Sequence, residues 1–408
     1  MKYDGIVVGG GAAGMFAALI AAQQGNSVLL IDKNDQLGRK LLITGKGRCN
    51  VTNACSASDV LQNVPRNGRF LYSAMNAFPP QSVMDFFESC GCILKIERGN
   101  RVFPVSDRAV TVRDCLKTAL VDAGVDVQKG TVKDILISDG QVNGVKLSDR
   151  NISADWVILA TGGLSYPTTG STGDGFRIAG KHGHTVTPTE GSLVPLESAD
   201  LDCSKMQGLS LRNVGVRLTN GTGKTVYKDF GELLFTHFGV SGPTVLSASA
   251  HIKEFPVKLE IDLKPAIDVQ KLDARLLRDL EQYKNRSMEN ALVDILPRSM
   301  IPVILEKALI PVDMQANSLK KEQRKKLIEL MKAFPVVLSA KRPVAEAIIT
   351  SGGIKISEID PKTMESKIVS GLFFAGEIID CDAYTGGFNL QIAWATAYAA
   401  GMAVKNHH

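Results

Sequence analysis

Three glycines and one acid near the start of the chain carry a spacing that suits a dinucleotide. Gly9, Gly11 and Gly14 form a Gly-x-Gly-x-x-Gly run, and Asp32 follows 18 residues beyond Gly14. In such a run the first glycine permits a tight turn and the second lets a pyrophosphate approach the backbone. The third lets a helix pack closely on a strand. The helix N-terminus offers unpaired N–H groups and partial positive charge to the phosphates, while the acid accepts from a ribose.

A second loop follows at once. Gly38 to Asn50 (GRKLLITGKGRCN) sets several cations among Thr44, Gly45 and Gly47, which suits a backbone cradle beside the same pyrophosphate and a ring system. A simple NAD dehydrogenase needs no such loop, so the dinucleotide is read as FAD. Near the other end, Gly376-Glu377 and Gly386-Gly387-Phe388-Asn389 aim another helix N-terminus at the site. That dipole favours the negative charge of a reduced flavin. No second Gly-x-Gly-x-x-Gly follows a strand, so a separate NAD(P)H domain is not visible.

Catalytic candidates are fewer. His237 lies in a glycine-flanked loop (Thr236 to Ser241) and is read as an acid or base, with a structural histidine the alternative. Tyr166 and Arg48 are candidates for substrate protonation or anion binding. Cys49 is read as a flavin-ring contact, and exposure beside Arg48 would lower its pKa. No HExxH, nucleophile elbow, P-loop or ligand-spaced Cys/His cluster occurs, so no metal site is expected.

The elements that must position these residues are legible from pattern. Gly5 to Gly9 reads as a buried strand, Ala12 to Gln24 as an apolar helix stopped by Gly25, and Ser27 to Asp32 as the next strand. A mostly helical stretch runs from Arg69 to Cys90, and a further helix from about Asp107 to Asp122. Asp139-Gly140 signals a hairpin between Val132–Ile137 and Gln141–Leu147, and Trp156 to Ala160 is a third apolar run. From Gly191 to Leu263 short strands alternate with glycine turns. From Asp268 to Phe334 the pattern is helical and charged, cut by Pro297, Pro302 and Pro311. Leu372 to Gly376 is again a buried strand, and a helix follows from Asn389 to Val404.

Composition narrows the class. The 408 residues are 44% hydrophobic and 22% charged, as in an ordinary globular protein, which excludes disorder and coiled coil. Net charge is +5, too small over this length to indicate nucleic-acid binding, and the basic run Lys320 to Lys326 has an interleaved acid, Glu322, and no aromatics. The seven cysteines form no CxxC pair, which suits free thiols in a reducing cytosol. Gly5 to Ala22 is uncharged like a signal peptide, but its five glycines weaken a membrane helix and a βαβ unit continues from it. The expectation is a cytoplasmic chain with no membrane span. His407 and His408 are left out of the functional reading.

Four long segments carry a resemblance. Gly38 to Asn53, Ala160 to Gly175 (ATGGLSYPTTGSTGDG), Gly231 to Pro243 (GELLFTHFGVSGP) and Gly371 to Ala393 (GLFFAGEIIDCDAYTGGFNLQIA) resemble a bacterial flavoprotein family. That family contains aminoacetone oxidase-like proteins and bile-acid enone reductases. The resemblance implies FAD held by Gly9, Gly11, Ala13, Gly14, Asp32, Lys33, Arg39, Lys40 and the run Gly45, Lys46, Gly47, Arg48, Cys49 and Asn50. It implies adenine contact by Val132, with Thr161, Gly162, Glu377 and Asn389 closing over the cofactor. Ala12 and Leu390, beside these, complete the expected set. One departure is Ala383, where the family pattern leads one to expect glycine.

The fold expected is α/β: a Rossmann-like FAD-binding domain of the glutathione-reductase type, interrupted by a β-rich and a helical insertion. Its parts are residues 1–190 and 350–408 for the FAD domain, 191–266 and 335–349 for the β-rich insertion, and 267–334 for the helical one. Substrate would enter between the FAD domain and the β-rich insertion. The function expected is hydride transfer between flavin and a small organic substrate, with NADPH or NADH as transient donor. An amine oxidase using oxygen ranks behind it, then a flavin-dependent tRNA-modifying transferase and a non-catalytic flavin sensor. Partners reduce to a small-molecule substrate, without membrane or nucleic acid, and the oligomeric state stays open.

Overall fold

The computed structural model describes residues 3–404, so His407 and His408 lie outside the described residues. The chain forms two compact units, one from residues up to Ser192 and from Val344 onward, the other from Leu193 to Pro343.

The first unit starts with β1 (Tyr3–Val8), α1 (Ala12–Gln23) and β2 (Val28–Asp32). All three are almost wholly buried, which explains a run without charge: both faces of the sheet are covered. α2 (Arg39–Ile43) follows, and the chain later enters β3 (Asp126–Lys129) beside β2. The hairpin β4 (Asp134–Ser138) and β5 (Gln141–Lys146) turns at Asp139-Gly140, both with positive φ. β6 (Asn151–Leu159) starts earlier than its apolar run, because Asn151–Ser153 pairs with the hairpin before Ala154–Leu159 joins β1. β7 (Leu372–Phe374) pairs in parallel with Val157–Leu159, and α3 (Phe388–Ala403) packs on α1. The parallel order is therefore β3–β2–β1–β6–β7, made from both ends of the chain.

The second unit has its own seven-stranded sheet and its own core. Its two long strands, Ser210–Thr219 and Thr225–Thr236, exceed the short strands that the glycine turns suggest. A helix, Pro243–Ser249, interrupts the β-rich stretch. Leu272 and Leu276 of the helix Val269–Gln282 share one apolar cluster with Phe235 and Phe334, so strands and helices here are one packed body. Residues 344–349, read from sequence as β-rich insertion, belong to the first unit. The reason is pairing: Ile349–Ser351 is antiparallel to Glu190–Ser192, and Ile349 reaches the cavity described below.

Candidate functional site

A cavity lies at the carboxyl ends of β1 and β2, where open α/β sheets bind ligands. Its lining comes entirely from the first unit. The three glycines divide their tasks there. A Cβ on Gly14 would meet the Gly9 carbonyl oxygen at 1.7 Å, and one on Gly9 the Ala160 carbonyl oxygen at 2.5 Å. A Cβ on Gly11 would meet nothing within 4 Å. Two glycines thus pack the backbone tightly, and the third leaves its face open.

Gly11 is the N-cap of α1, so the first-turn N–H groups have no capping side chain. Asp32 ends β2, where its two carboxylate oxygens accept from the backbone of Gly10 at 2.6 Å and of Asn34 at 2.7 Å. That fixes the turn around the cavity and leaves carboxylate lone pairs for a ribose. Gly387, with φ +99°, caps α3 without a side chain, and Asn389 and Leu390 of its first turn line the cavity.

Lys40 reaches across the same cavity. Its Nζ donates to Glu377 Oε2 at 2.5 Å and to Ser165 Oγ at 2.6 Å. Ser165 Oγ donates to Glu377 Oε1 at 2.6 Å, and the Thr350 backbone donates to the same oxygen at 2.9 Å. Burial pushes the Glu377 carboxyl up, but Lys40 and these hydrogen bonds outweigh it and hold its pKa below the usual value.

Of the residues singled out in sequence, the structure gathers Gly9, Gly11, Ala12, Ala13, Asp32, Lys33, Arg39, Lys40 and Thr44 around this cavity. Val132, Thr161, Gly162, Gly376, Glu377, Asn389 and Leu390 join them. Gly14 and Gly387 stand just behind the lining, shaping the backbone. Gly45 and Gly47 both have positive φ in the turn after α2. Asn50 is close to Gly387, and its Oδ1 is buried without a partner. Ala383 needs no glycine. Its φ is not positive, and its N–H and carbonyl are clasped by the Asn389 side chain at 2.8 and 2.7 Å.

Four expectations change. Arg48 does not line the cavity: its guanidinium pairs with Glu97, donates through Nε to Asp107 at 2.8 Å, and lies 4.2 Å from the Phe103 ring centre. Those acids occupy it and raise its pKa. Cys49, read as a flavin-ring contact, is fully buried and does not line the cavity, and burial pushes its thiol up to about 12, so it stays a neutral thiol. His237 is exposed in the second unit, its ring set edge-on to Phe238 at 5.0 Å, and is not among the residues that line the cavity. Tyr166 begins the turn Pro167–Thr169 with φ +52°, its ring centre 6.0 Å from Lys40 Nζ, and does not line the cavity.

Sequence reading missed Asn34, Thr169, Ser171, Ile349 and Cys381, all of which line it. Asn34 had a signal: it stands two residues after the strand-end acid, and its Nδ2 donates to the Thr169 carbonyl at 3.2 Å.

The residues present fit FAD. Two helix N-termini without capping side chains, an acid at a strand end, and a glycine face open to the cavity suit a ribose and a pyrophosphate. Thr161 lines the cavity, and its hydroxyl is buried against Gly175 without a hydrogen-bond partner. Fold and cavity together define an FAD-dependent oxidoreductase built on a Rossmann-type domain. The chain belongs to the HI0933-like family, whose Rossmann-domain model matches residues 3–403.

Among its relatives is a 3-dehydro-bile acid delta(4,6)-reductase of Clostridium scindens, 30% identical and covering 97% of this chain and 98% of the relative. A ribosomal RNA dihydrouridine synthase of Escherichia coli is 31% identical and covers 98% of each. Among solved structures, a 3-ketosteroid delta1-dehydrogenase of Sterolibacterium denitrificans shares the fold with a TM-score of 0.52. It is 14% identical and covers 99% of both chains. Among the described residues no helix is long and apolar enough to cross a membrane, and no group of His, Cys, Asp or Glu could hold a metal.

Proposed function

We propose that this enzyme reduces a carbon–carbon double bond conjugated to a carbonyl group on a small organic molecule, with electrons drawn from NADPH or NADH. Bound FAD would supply the two-electron chemistry, and this chain's residues would hold it and set its electronics. The observation that carries the reading is the N-terminus of α3. The helix has sixteen residues, no acid in its first turn and no capping side chain, and that turn lines the cavity. Such a terminus stabilises negative charge by about 0.3–1 kcal/mol, and up to ~2 kcal/mol when partly buried. It therefore favours the reduced, anionic cofactor that a reductase must hold ready. The name of the Clostridium scindens relative, a delta(4,6)-reductase, supports a double bond as the acceptor.

The remaining residues take supporting parts. Asp32 holds the turn for the ribose, and Gly11 with the α1 N-terminus receives the pyrophosphate. Thr44, Gly45, Gly47, Cys49 and Asn50 form the loop beside the ring, with Val132 at the adenine. Seven free cysteines suit a reducing compartment such as the cytosol.

The test is an anaerobic titration of the purified holoenzyme with NADPH, then NADH, followed by visible absorbance. Rapid bleaching, then recovery on adding a cyclic enone, is the expected result. A spectrum that neither nucleotide bleaches, combined with oxygen uptake on amines, would replace this reading by an amine oxidase.

A second reading has its own support. Two relatives of about this length, from Escherichia coli and Haemophilus influenzae, are named ribosomal RNA dihydrouridine synthases. The uracil ring also presents a double bond beside a carbonyl, so the chemistry is shared and only the carrier differs. Dihydrouridine formed in ribosomal RNA incubated with enzyme and NADPH, with no turnover of free enones, would select it.

A further inference from the structure

Arg66 takes no part in the cofactor site as described, yet it is tied to that site's wall. Its Nη1 donates to Ser351 Oγ at 2.8 Å, and its Nη2 faces both Asp380 oxygens at 3.2 and 3.5 Å. The neighbouring Asn67 Nδ2 donates to the Asp380 backbone carbonyl at 2.6 Å. Behind this pair, Asp382 accepts from Ser351 Oγ at 3.0 Å and from Ser192 Oγ at 2.7 Å. Cys381, between the two acids, lines the cofactor cavity, and so does Ile349, two residues before Ser351.

The burial of the pair is lopsided. The Asp380 side chain is 7% exposed and the Arg66 side chain 39%. A guanidinium carries five N–H donors in a rigid fork, and the contacts above engage its two terminal nitrogens, leaving Nε without a partner among the described residues. A buried acid that anchors a half-open guanidinium holds a cation in a fixed orientation with donors to spare. That is the form of a site for an oxygen-bearing ligand.

We propose that Arg66 binds the carbonyl oxygen of the alkene substrate, with Asp380 and Ser351 as its positioning residues. This rests on the alkene-reductase reading above. In that reaction the β-carbon takes hydride from the reduced flavin, and the electron pair of the C=C bond moves through the α-carbon toward the carbonyl oxygen. Arg66 donates to that oxygen as its negative charge grows. The α-carbon then takes a proton from water, so one hydride and one proton saturate the bond. A donor aimed where charge develops assists the step more than it assists binding.

The test uses the holoenzyme and the phenolate of 4-hydroxybenzaldehyde, whose oxygen imitates the enolate oxygen without reacting. Its binding is read from the change it causes in the flavin spectrum. Arg66→Ala is expected to weaken it by about 10- to 100-fold, the range of a lost hydrogen bond to a charged group. Flavin content should match the wild type. Arg66→Lys should recover part of the loss, since an ammonium keeps the charge without the fork. Ser351→Ala removes one anchor while leaving Arg66 in place, so it keeps the proposal testable if Arg66→Ala fails to fold, and should show a smaller loss in the same direction.

Equal phenolate affinity in wild type and in Arg66→Ala, or no binding by the wild type, overturns the proposal. Steady-state kinetics on a cyclic enone separate the two claims. If the wild type reduces no enone while phenolate binding depends on Arg66, the reductase reading falls and the oxygen site stands. If enones are reduced with the same kcat/KM in Arg66→Ala, the oxygen site falls and the reductase reading stands.

Discussion

Glu377 and Asp382 sit five residues apart in one segment, each largely buried and each tied to a serine, yet their environments push them in opposite directions. Burial raises both. Around Glu377 that push is outweighed by Lys40, Ser165 and the Thr350 backbone, and its pKa falls. Around Asp382 burial is the largest influence, its direct partners are two serine hydroxyls, and the pull of the Arg66 charge is opposed by Asp380, so its pKa rises. The lesson is that the direct partner decides, not burial. A charged donor touching the carboxylate pulls its pKa down, whereas hydroxyls alone leave burial to raise it.

The largest break in this comparison comes from Lys40→Met. It strands a nearly buried carboxylate, and should lower unfolding stability by about 3–5 kcal/mol. Denaturant melts of the holoenzyme measure it, and adding Glu377→Gln should restore most of the loss. A single variant as stable as the wild type would mean that Lys40 does not hold Glu377.

Asp32→Ala comes next. Two backbone donors lose their acceptor and a ribose partner disappears, so FAD retention should drop by about 10- to 100-fold, as for a lost charged hydrogen bond. Flavin occupancy after gel filtration reports it. Wild-type occupancy would contradict the placement of the cofactor along β2.

The third effect is a matter of sign. Glu377, with its folded pKa below 4.5, contributes stability that is present above pH 4.5 and lost as pH falls through its folded value. Asp382, with its folded pKa above 3.8, contributes stability that is present below pH 3.8 and lost as pH rises through its folded value. Asp382→Asn should therefore gain stability relative to wild type as pH rises from 3.5 to 7, and Glu377→Gln should lose it. Thermal melts across that range check both slopes.

Arg48→Ala should do least. Its acids, Glu97 and Asp107, are partly exposed, and it stands away from the cavity, so flavin content and melting temperature should stay at wild-type values. Loss of flavin from this variant would return Arg48 to the cofactor loop.

Much of the cofactor site was readable because its signals are local. Gly9, Gly11, Gly14 and Asp32 lie within one βαβ unit, and their spacing encodes strand, turn and helix before any tertiary contact forms. Cys381 and Ile349 were not readable as site residues. They reach the cavity only after a strand pairing between Glu190–Ser192 and Ile349–Ser351 and a turn clasped by Asn389, contacts that no periodicity announces. Arg66 and Asp380 are 314 residues apart and meet only in the fold. Arg48 failed for the opposite reason. It stands inside a cofactor-like motif, but Glu97 and Asp107 lie on and just beyond a hairpin some fifty residues further on and draw its side chain away.

The most direct measurement takes holoenzyme photoreduced under argon and mixes it with 2-cyclohexenone in a stopped-flow spectrometer. Alkene reduction requires the oxidised flavin spectrum to return without oxygen, with one cyclohexanone formed per flavin. A spectrum that stays bleached with the enone and returns only when oxygen is admitted would contradict it.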